Sequence, residues 1–141
     1  MKILTVTAGV LHKEGKVLLA QRRNDSTPRS GKWEFPGGKL ETGETMQQGL
    51  RRELHEELSI DAKTGRFITE HIHHYPDTTI RLMAFHIEEF EGDIVLHSHQ
   101  KMEWVALGDL AKYDLSDADK PIARRLQKNP EEILPEKKIL D

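Results

Sequence analysis

Residues 37–60 read GGKLETGETMQQGLRRELHEELSI, and this stretch decides the fold. Two glycines, Gly37 and Gly38, precede five glutamates: Glu41, Glu44, Glu53, Glu56 and Glu57. From Thr45 the apolar residues Met46, Leu50, Leu54 and Leu58 recur every fourth position, the stripe of a helix with one buried face. Thr42 or Thr45 supplies the N-cap. At about 100° per residue, Glu53, Glu56 and Glu57 fall within an arc of roughly 100° beside the leucine stripe. Like charges this close repel, so the cluster opposes folding unless a cation sits among them. An acidic helix face is most often a solvated surface paired with its own arginines. Here the glycine loop leading into the helix leaves backbone groups open to a ligand, which tips the reading toward a cation site. Carboxylates plus a backbone carbonyl make an all-oxygen ligand set, suited to Mg²⁺ or Mn²⁺ rather than zinc.

Working outward, Ile3 to Leu11 is β-branched and strand-like, Gly15 marks a turn, and Val17 to Arg23 is a second strand. The two strands read as a hairpin. Asn24 to Lys32 is a polar loop, and Pro36, Gly37 and Gly38 interrupt regular structure after it. Beyond the helix, Gly65 to Tyr75, Thr79 to Phe90 and Lys101 to Leu107 read as strands, and Asp117 to Asn129 as a closing helix. Residues 130–141 form a charged, proline-broken tail, expected to be disordered. The fold class is α/β, with one domain over residues 1–129.

The chain has 141 residues and no cysteine, with a net charge of −3 and a pI near 6.2. That length supports one sizeable core. Disulfides and thiolate metal sites are excluded, which fits a reducing cytosol, and no basic footprint argues for a nucleic acid polymer as partner. The N-terminal apolar run is too short for a signal peptide or a membrane span, so a cytoplasmic domain with no membrane partner is expected.

From Gly38 the residues run Gly, five positions, Glu44, seven positions, Arg52-Glu53-Leu54, one position, Glu56-Glu57, one position, Ser59, Ile60. This resembles the Nudix box, the metal-binding loop–helix–loop of the Nudix hydrolases. One fixed position departs: the family usually has Gly where this chain has Ser59. That residue ends the helix in a left-handed conformation, which costs Ser more than Gly. The resemblance implies an α/β/α sandwich with a mixed central sheet. It also implies that Glu53, Glu56 and Glu57 hold Mg²⁺, with Mn²⁺ as substitute and the Gly37 carbonyl as an added ligand. Glu44 and Arg52 would brace the motif, while Gly38 and Lys39 would meet the substrate phosphates. The implied reaction is hydrolysis of a nucleoside diphosphate linked to another group.

AGVLHKEGKVLLAQRR, WEFPGGK, EFEGDIVLHSHQKMEWV and LSDADKPIARRL extend the resemblance to MutT-like nucleoside triphosphate pyrophosphohydrolases, with the CTP pyrophosphohydrolase-like members nearest. The implied activity converts a CTP- or dCTP-type or oxidised nucleotide to monophosphate and pyrophosphate, as in nucleotide-pool sanitation and DNA repair. The alternatives are 8-oxo-dGTP hydrolysis, another nucleoside diphosphate derivative, or a non-catalytic nucleotide sensor. A monomer or weak homodimer is expected. By the same resemblance Arg23 reaches the nucleotide, Phe35 lines the pocket, and Asp119 reads the base, with Asp117 competing for that role. A carboxylate at Asp119 can accept from a cytosine amino group or from a guanine-type edge. In LHSHQ, relatives often carry Glu where this chain has Ser98, so a metal ligand or water-activating group is missing there. His97 and His99 beside it read as surface residues. Alternation puts His71 and His73 on one strand face, exposed rather than metal-bound.

Overall fold

Two four-stranded sheets and two helices make up the fold, in a computed structural model that describes residues 3–133. In chain order the elements are β1 (Ile3–Val10), β2 (His12–Lys13), β3 (Lys16–Arg22), β4 (Trp33–Glu34), β5 (Gly37–Lys39), α1 (Met46–Leu58), β6 (Asp61–His74), β7 (Thr79–Glu91), β8 (His99–Ala106) and α2 (Lys120–Lys128). Short 3₁₀ turns at Leu107–Lys112 and Asp117–Asp119 lead into α2. The first sheet has the order β5-β1-β7-β6; β1 and β7 are parallel and the other pairs antiparallel, so the sheet is mixed. In the second sheet β3 pairs with β2, β4 and β8. Among the described residues no helix is long and apolar enough to cross a membrane.

The expected hairpin between the first two long strands forms only at its tip. Glu14 and Gly15 both take positive φ, 52° and 77°, the conformation of a tight two-residue turn. That turn pairs His12 with Val17 and Lys13 with Lys16. Upstream of it, β1 leaves for the other sheet and aligns along β7, from Ile3 opposite Thr79 to Val10 opposite His86. Burial explains the departure: the second half of β1 is wholly buried and needs neighbours on both edges, which β5 and β7 supply.

Strand alternation divides the apolar residues between two cores. Val17 and Leu19 of β3, with Leu82 and Ala84 of β7, pack toward Ile122, Ala123 and Leu126 of α2. Leu18, Met83, Phe85 and Ile87 pack toward Leu50, Leu54 and Leu58 of α1. The sheets thus lie between two helices, the expected α/β/α sandwich.

Helix α1 starts where Thr45 forms a capping box: its hydroxyl accepts from Gln48 N–H at 3.1 Å, and the Gln48 side chain accepts from Thr45 N–H at 3.0 Å. It ends at Ser59 in the left-handed conformation, φ 59° and ψ 31°. The domain also runs past the expected boundary at residue 129. Pro130–Ile133 forms a 3₁₀ turn because Ile133 is buried in the α2 core and Glu132 pairs with Arg125 at 2.7 Å. The rest of the expected tail lies outside the described residues.

Candidate active site

The loop Pro36–Glu44 and the face of α1 carrying Glu53 and Glu57 enclose one side of a cavity of about 460 Å³. Its lining includes Gly37, Gly38, Lys39, Glu53 and Glu57, together with Phe35, Tyr75, Ser116 and Asp119. Backbone packing dictates the two glycines. A Cβ on Gly37 would overlap the Thr7 carbonyl of the adjacent strand, and one on Gly38 would overlap the Glu53 carboxylate. Only residues without side chains let β5 lie this close to both β1 and α1.

Arg52 is the cation among the glutamates. Its guanidinium meets Glu44 twice, at 2.7 and 2.9 Å, Glu53 at 2.9 Å, Glu56 at 3.2 Å and the Lys39 carbonyl at 3.0 Å. Glu44 also accepts from Glu41 N–H at 2.8 Å, which ties the loop to the helix. Arg52, and after it that backbone bond, hold the Glu44 carboxyl down to about 2. Glu53 moves the other way, raised chiefly by burial.

Glu57 has no ion pair of this kind, only a backbone hydrogen bond from Gly37 and the more distant charge of Arg22. Its Oε2 is buried and without a hydrogen bond, and its carboxyl is pushed up to about 8 by burial, then by the charges of Glu34 and Glu53. A buried carboxylate facing other carboxylates is the arrangement a divalent cation would relieve. The donors Glu53, Glu56 and Glu57 and the backbone of Gly37 fit a hard, oxygen-seeking ion. Among the described residues, though, no three His, Asp or Glu side chains are gathered closely enough to form a ready metal cluster. Glu56 explains part of this: its side chain is 56% exposed, held outward by Arg52, and absent from the cavity wall.

The structure brings Phe35, Gly37, Gly38, Lys39, Glu53, Glu57 and Asp119 to one cavity and leaves Arg23 outside it. Arg23 is exposed and borders a shallower depression, whereas Arg22 lines the main cavity and pairs with Glu34 at 3.4 Å. The reason is geometric: successive strand residues face opposite ways, and the register of β3 shifts between Gln21 and Arg22. Asp119 is 6% exposed and Oδ1 accepts from Phe35 N–H at 2.9 Å. Burial, then Glu34, raises its carboxyl well above the usual range. Asp117 is turned away, bonded to Lys120 at 2.8 Å.

Several residues of this site, among them Arg22, Glu34, Tyr75 and Ser116, escape a reading from sequence, and His99 is misplaced by it. Glu34 lines the cavity and accepts from or bonds to His99 Nε2 at 3.0 Å; nothing in WEF distinguishes it from an ordinary strand glutamate. His99 is not a surface residue but is 5% exposed, and its adjacency to Ser98 in a departing motif is the one available signal. His97 is exposed, as expected, and bonds the Ser59 hydroxyl at 2.6 Å. Ser98 borders the shallower depression with Arg23 and Glu57. His71 and His73 lie side by side with ring centroids 5.9 Å apart.

With this geometry in view, the NUDIX domain profile matches residues 1–126. The chain belongs to the Nudix family and is a Nudix hydrolase. Such enzymes generally use a divalent metal. It is 39% identical over 122 residues to a CTP pyrophosphohydrolase of Escherichia coli (strain K12), covering 86% of this chain and 90% of that protein. It is 32% identical over 128 residues to the 8-oxo-dGTP diphosphatase of the same organism, covering 91% and 99%. Among solved structures, the solution structure of the E. coli ORF135 protein matches with a TM-score of 0.81 and 38% identity, over 91% of each chain. A MutT protein from Methanosarcina mazei Go1 shares the fold at a TM-score of 0.82 and 23% identity, over 92% and 96% of the two chains.

Proposed function

We propose that the chain is a Mg²⁺-dependent nucleoside triphosphate pyrophosphohydrolase that takes a CTP- or dCTP-type substrate to its monophosphate and pyrophosphate in nucleotide-pool sanitation. The carrying observation is one cavity lined both by Glu53 and Glu57, whose Oε2 lacks a hydrogen bond, and by the buried carboxyl of Asp119. Gly37, Glu53, Glu56 and Glu57 would hold the metal, Glu56 after release from Arg52. Bound Mg²⁺ would neutralise phosphate charge and lower the pKa of a water. Lys39 and Arg22 meet the phosphates, Arg52 and Glu44 brace the loop against the helix, and Gly38 keeps the phosphate path open. Phe35 packs beside the base and Asp119 takes a hydrogen bond from its edge. The 39% identity to a CTP pyrophosphohydrolase supports the cytosine-type base. A second reading, 8-oxo-dGTP hydrolysis, is supported by the 32% identity to a diphosphatase of that name.

The test is a panel of canonical and oxidised nucleoside triphosphates assayed for pyrophosphate release. Hydrolysis should stop in EDTA and return with Mg²⁺ or Mn²⁺, with zinc a poor substitute. Run in H₂¹⁸O, the reaction should place label in pyrophosphate, the outcome of attack at the β-phosphorus. Full activity in EDTA, or release of inorganic phosphate alone, would end this reading.

A further inference from the structure

In the cavity Asp119 has a neighbour that the reading so far leaves idle. Ser116 lines the same cavity, is 2% exposed, and its Oγ is buried with no hydrogen bond partner. Leaving a buried hydroxyl unpaired costs about 1–3 kcal/mol, so its partner is to be sought in what the cavity takes up. Local geometry couples it to Asp119. The Asp119 N–H donates to the Ser116 carbonyl at 2.9 Å, closing a 3₁₀ turn, and side chains three residues apart on such a turn project from the same side. Asp119 has committed Oδ1 to the Phe35 N–H, the one hydrogen bond of its side chain among the described residues, so Oδ2 remains for the cavity.

We propose that Ser116 is a base-reading residue, the donor half of a two-point contact to the base whose acceptor half is Asp119 Oδ2. The pair fits a base edge on which a donor and an acceptor stand side by side. Resting on the cytosine-type reading above, the exocyclic amino group donates to Asp119 and the Ser116 hydroxyl donates to the adjacent ring nitrogen N3. Uracil presents a carbonyl where cytosine presents the amino group and an N–H where cytosine presents N3. On uracil the O4 carbonyl meets the Asp119 oxygen acceptor to acceptor, whereas the Ser116 hydroxyl can turn to accept from N3–H. Asp119 therefore rejects uracil, and the Ser116 hydroxyl adds the bond to N3 that holds the accepted base.

The experiment compares CTP, 3-deaza-CTP, which lacks the N3 acceptor, and UTP with wild type and with Ser116→Ala. For the wild type, kcat/KM should be about tenfold lower for 3-deaza-CTP than for CTP, the worth of one good hydrogen bond. Ser116→Ala should lose the same factor on CTP and lose nothing further on 3-deaza-CTP, with UTP a poor substrate of both proteins and the metal requirement unchanged. Equal wild-type rates on CTP and 3-deaza-CTP would overturn the inference while leaving the proposed function standing, and this arm needs no variant to fold. A uniform loss on all three substrates in Ser116→Ala would mark a structural serine and also overturn it. Absence of any triphosphate hydrolysis by the wild type would bring down the proposed function and this inference together.

Discussion

Ser59 shows how a single departure from a family pattern is absorbed. It holds a left-handed conformation that a β-carbon disfavours by roughly 1–2 kcal/mol. Its hydroxyl recovers part of that cost through the 2.6 Å bond to His97, and the backbone N–H groups of Val95 and His97 satisfy the Leu58 and Glu57 carbonyls at the helix end. Ser59→Ala keeps the strained backbone and loses the bond, so urea unfolding should show about 1 kcal/mol of lost stability. Ser59→Gly loses the bond but also the strain and should stay within about 0.5 kcal/mol of wild type. Equal losses in both variants would show that the hydroxyl, not the backbone, matters there. At this scale spacing alone singles out Glu53 and Glu57, and both line the main cavity. The sequence misled at Arg23, because the register shift before Arg22 is a tertiary event with no local signature.

Among the elements, α1 was the most legible, since its leucine stripe, Thr45 cap and end at Leu58 are all local in sequence. Strand pairing was not. The extended character of β1 and β3 was plain, yet which strands they join is decided by residues far along the chain. The contact of β2 with β7 is one such outcome. His12 stacks on His86 with ring centroids 4.7 Å apart and an interplanar angle of 18°, which joins the two sheets. Burial, then the neighbouring His12 and Arg66, lowers His86 to about 4, against weaker opposition from Glu88 and Glu132. Below its ordinary value of 6.5 the unfolded chain takes up a proton that the folded chain refuses until near pH 4. Stability from this group is therefore complete above pH 6.5 and should fall by about 2–3 kcal/mol on descending toward pH 4. Denaturant titrations at pH 7 and 4.5 should show that His86→Phe, which keeps a ring in the stack, loses less over that interval than wild type. An equal loss would assign the acid sensitivity to other groups.

For the molecule as a whole, the acidic cluster sets stability against function. Arg52 neutralises its neighbours, so the fold does not wait on a metal, but Glu57 is left uncompensated. In EDTA at pH 9, above the value of about 8 to which burial pushes its carboxyl, Glu57→Gln should melt a few degrees above wild type, because it removes a buried charge without changing shape. Mg²⁺ at about 100 times its dissociation constant should stabilise wild type by about 2.7 kcal/mol and the variant by much less. Calorimetric scans with and without Mg²⁺ decide this; a Glu57→Gln protein less stable than wild type in EDTA would mean that the bond from the Gly37 backbone and the Arg22 charge already outweigh the burial of the carboxylate. Pyrophosphate release by the variant should fall by orders of magnitude.

The parallel pairing of β1 with β7 carries a consequence for biosynthesis. β1 aligns with residues 79–86, so the edge that β7 covers stays open until those residues have been made. Helix α1 and the β2–β3 turn can form early from local contacts, whereas the mixed sheet must close late. During that interval an apolar strand is presented to the crowded interior of the cell, and nascent chains halted before Thr79 are the ones a chaperone would be called on to shield.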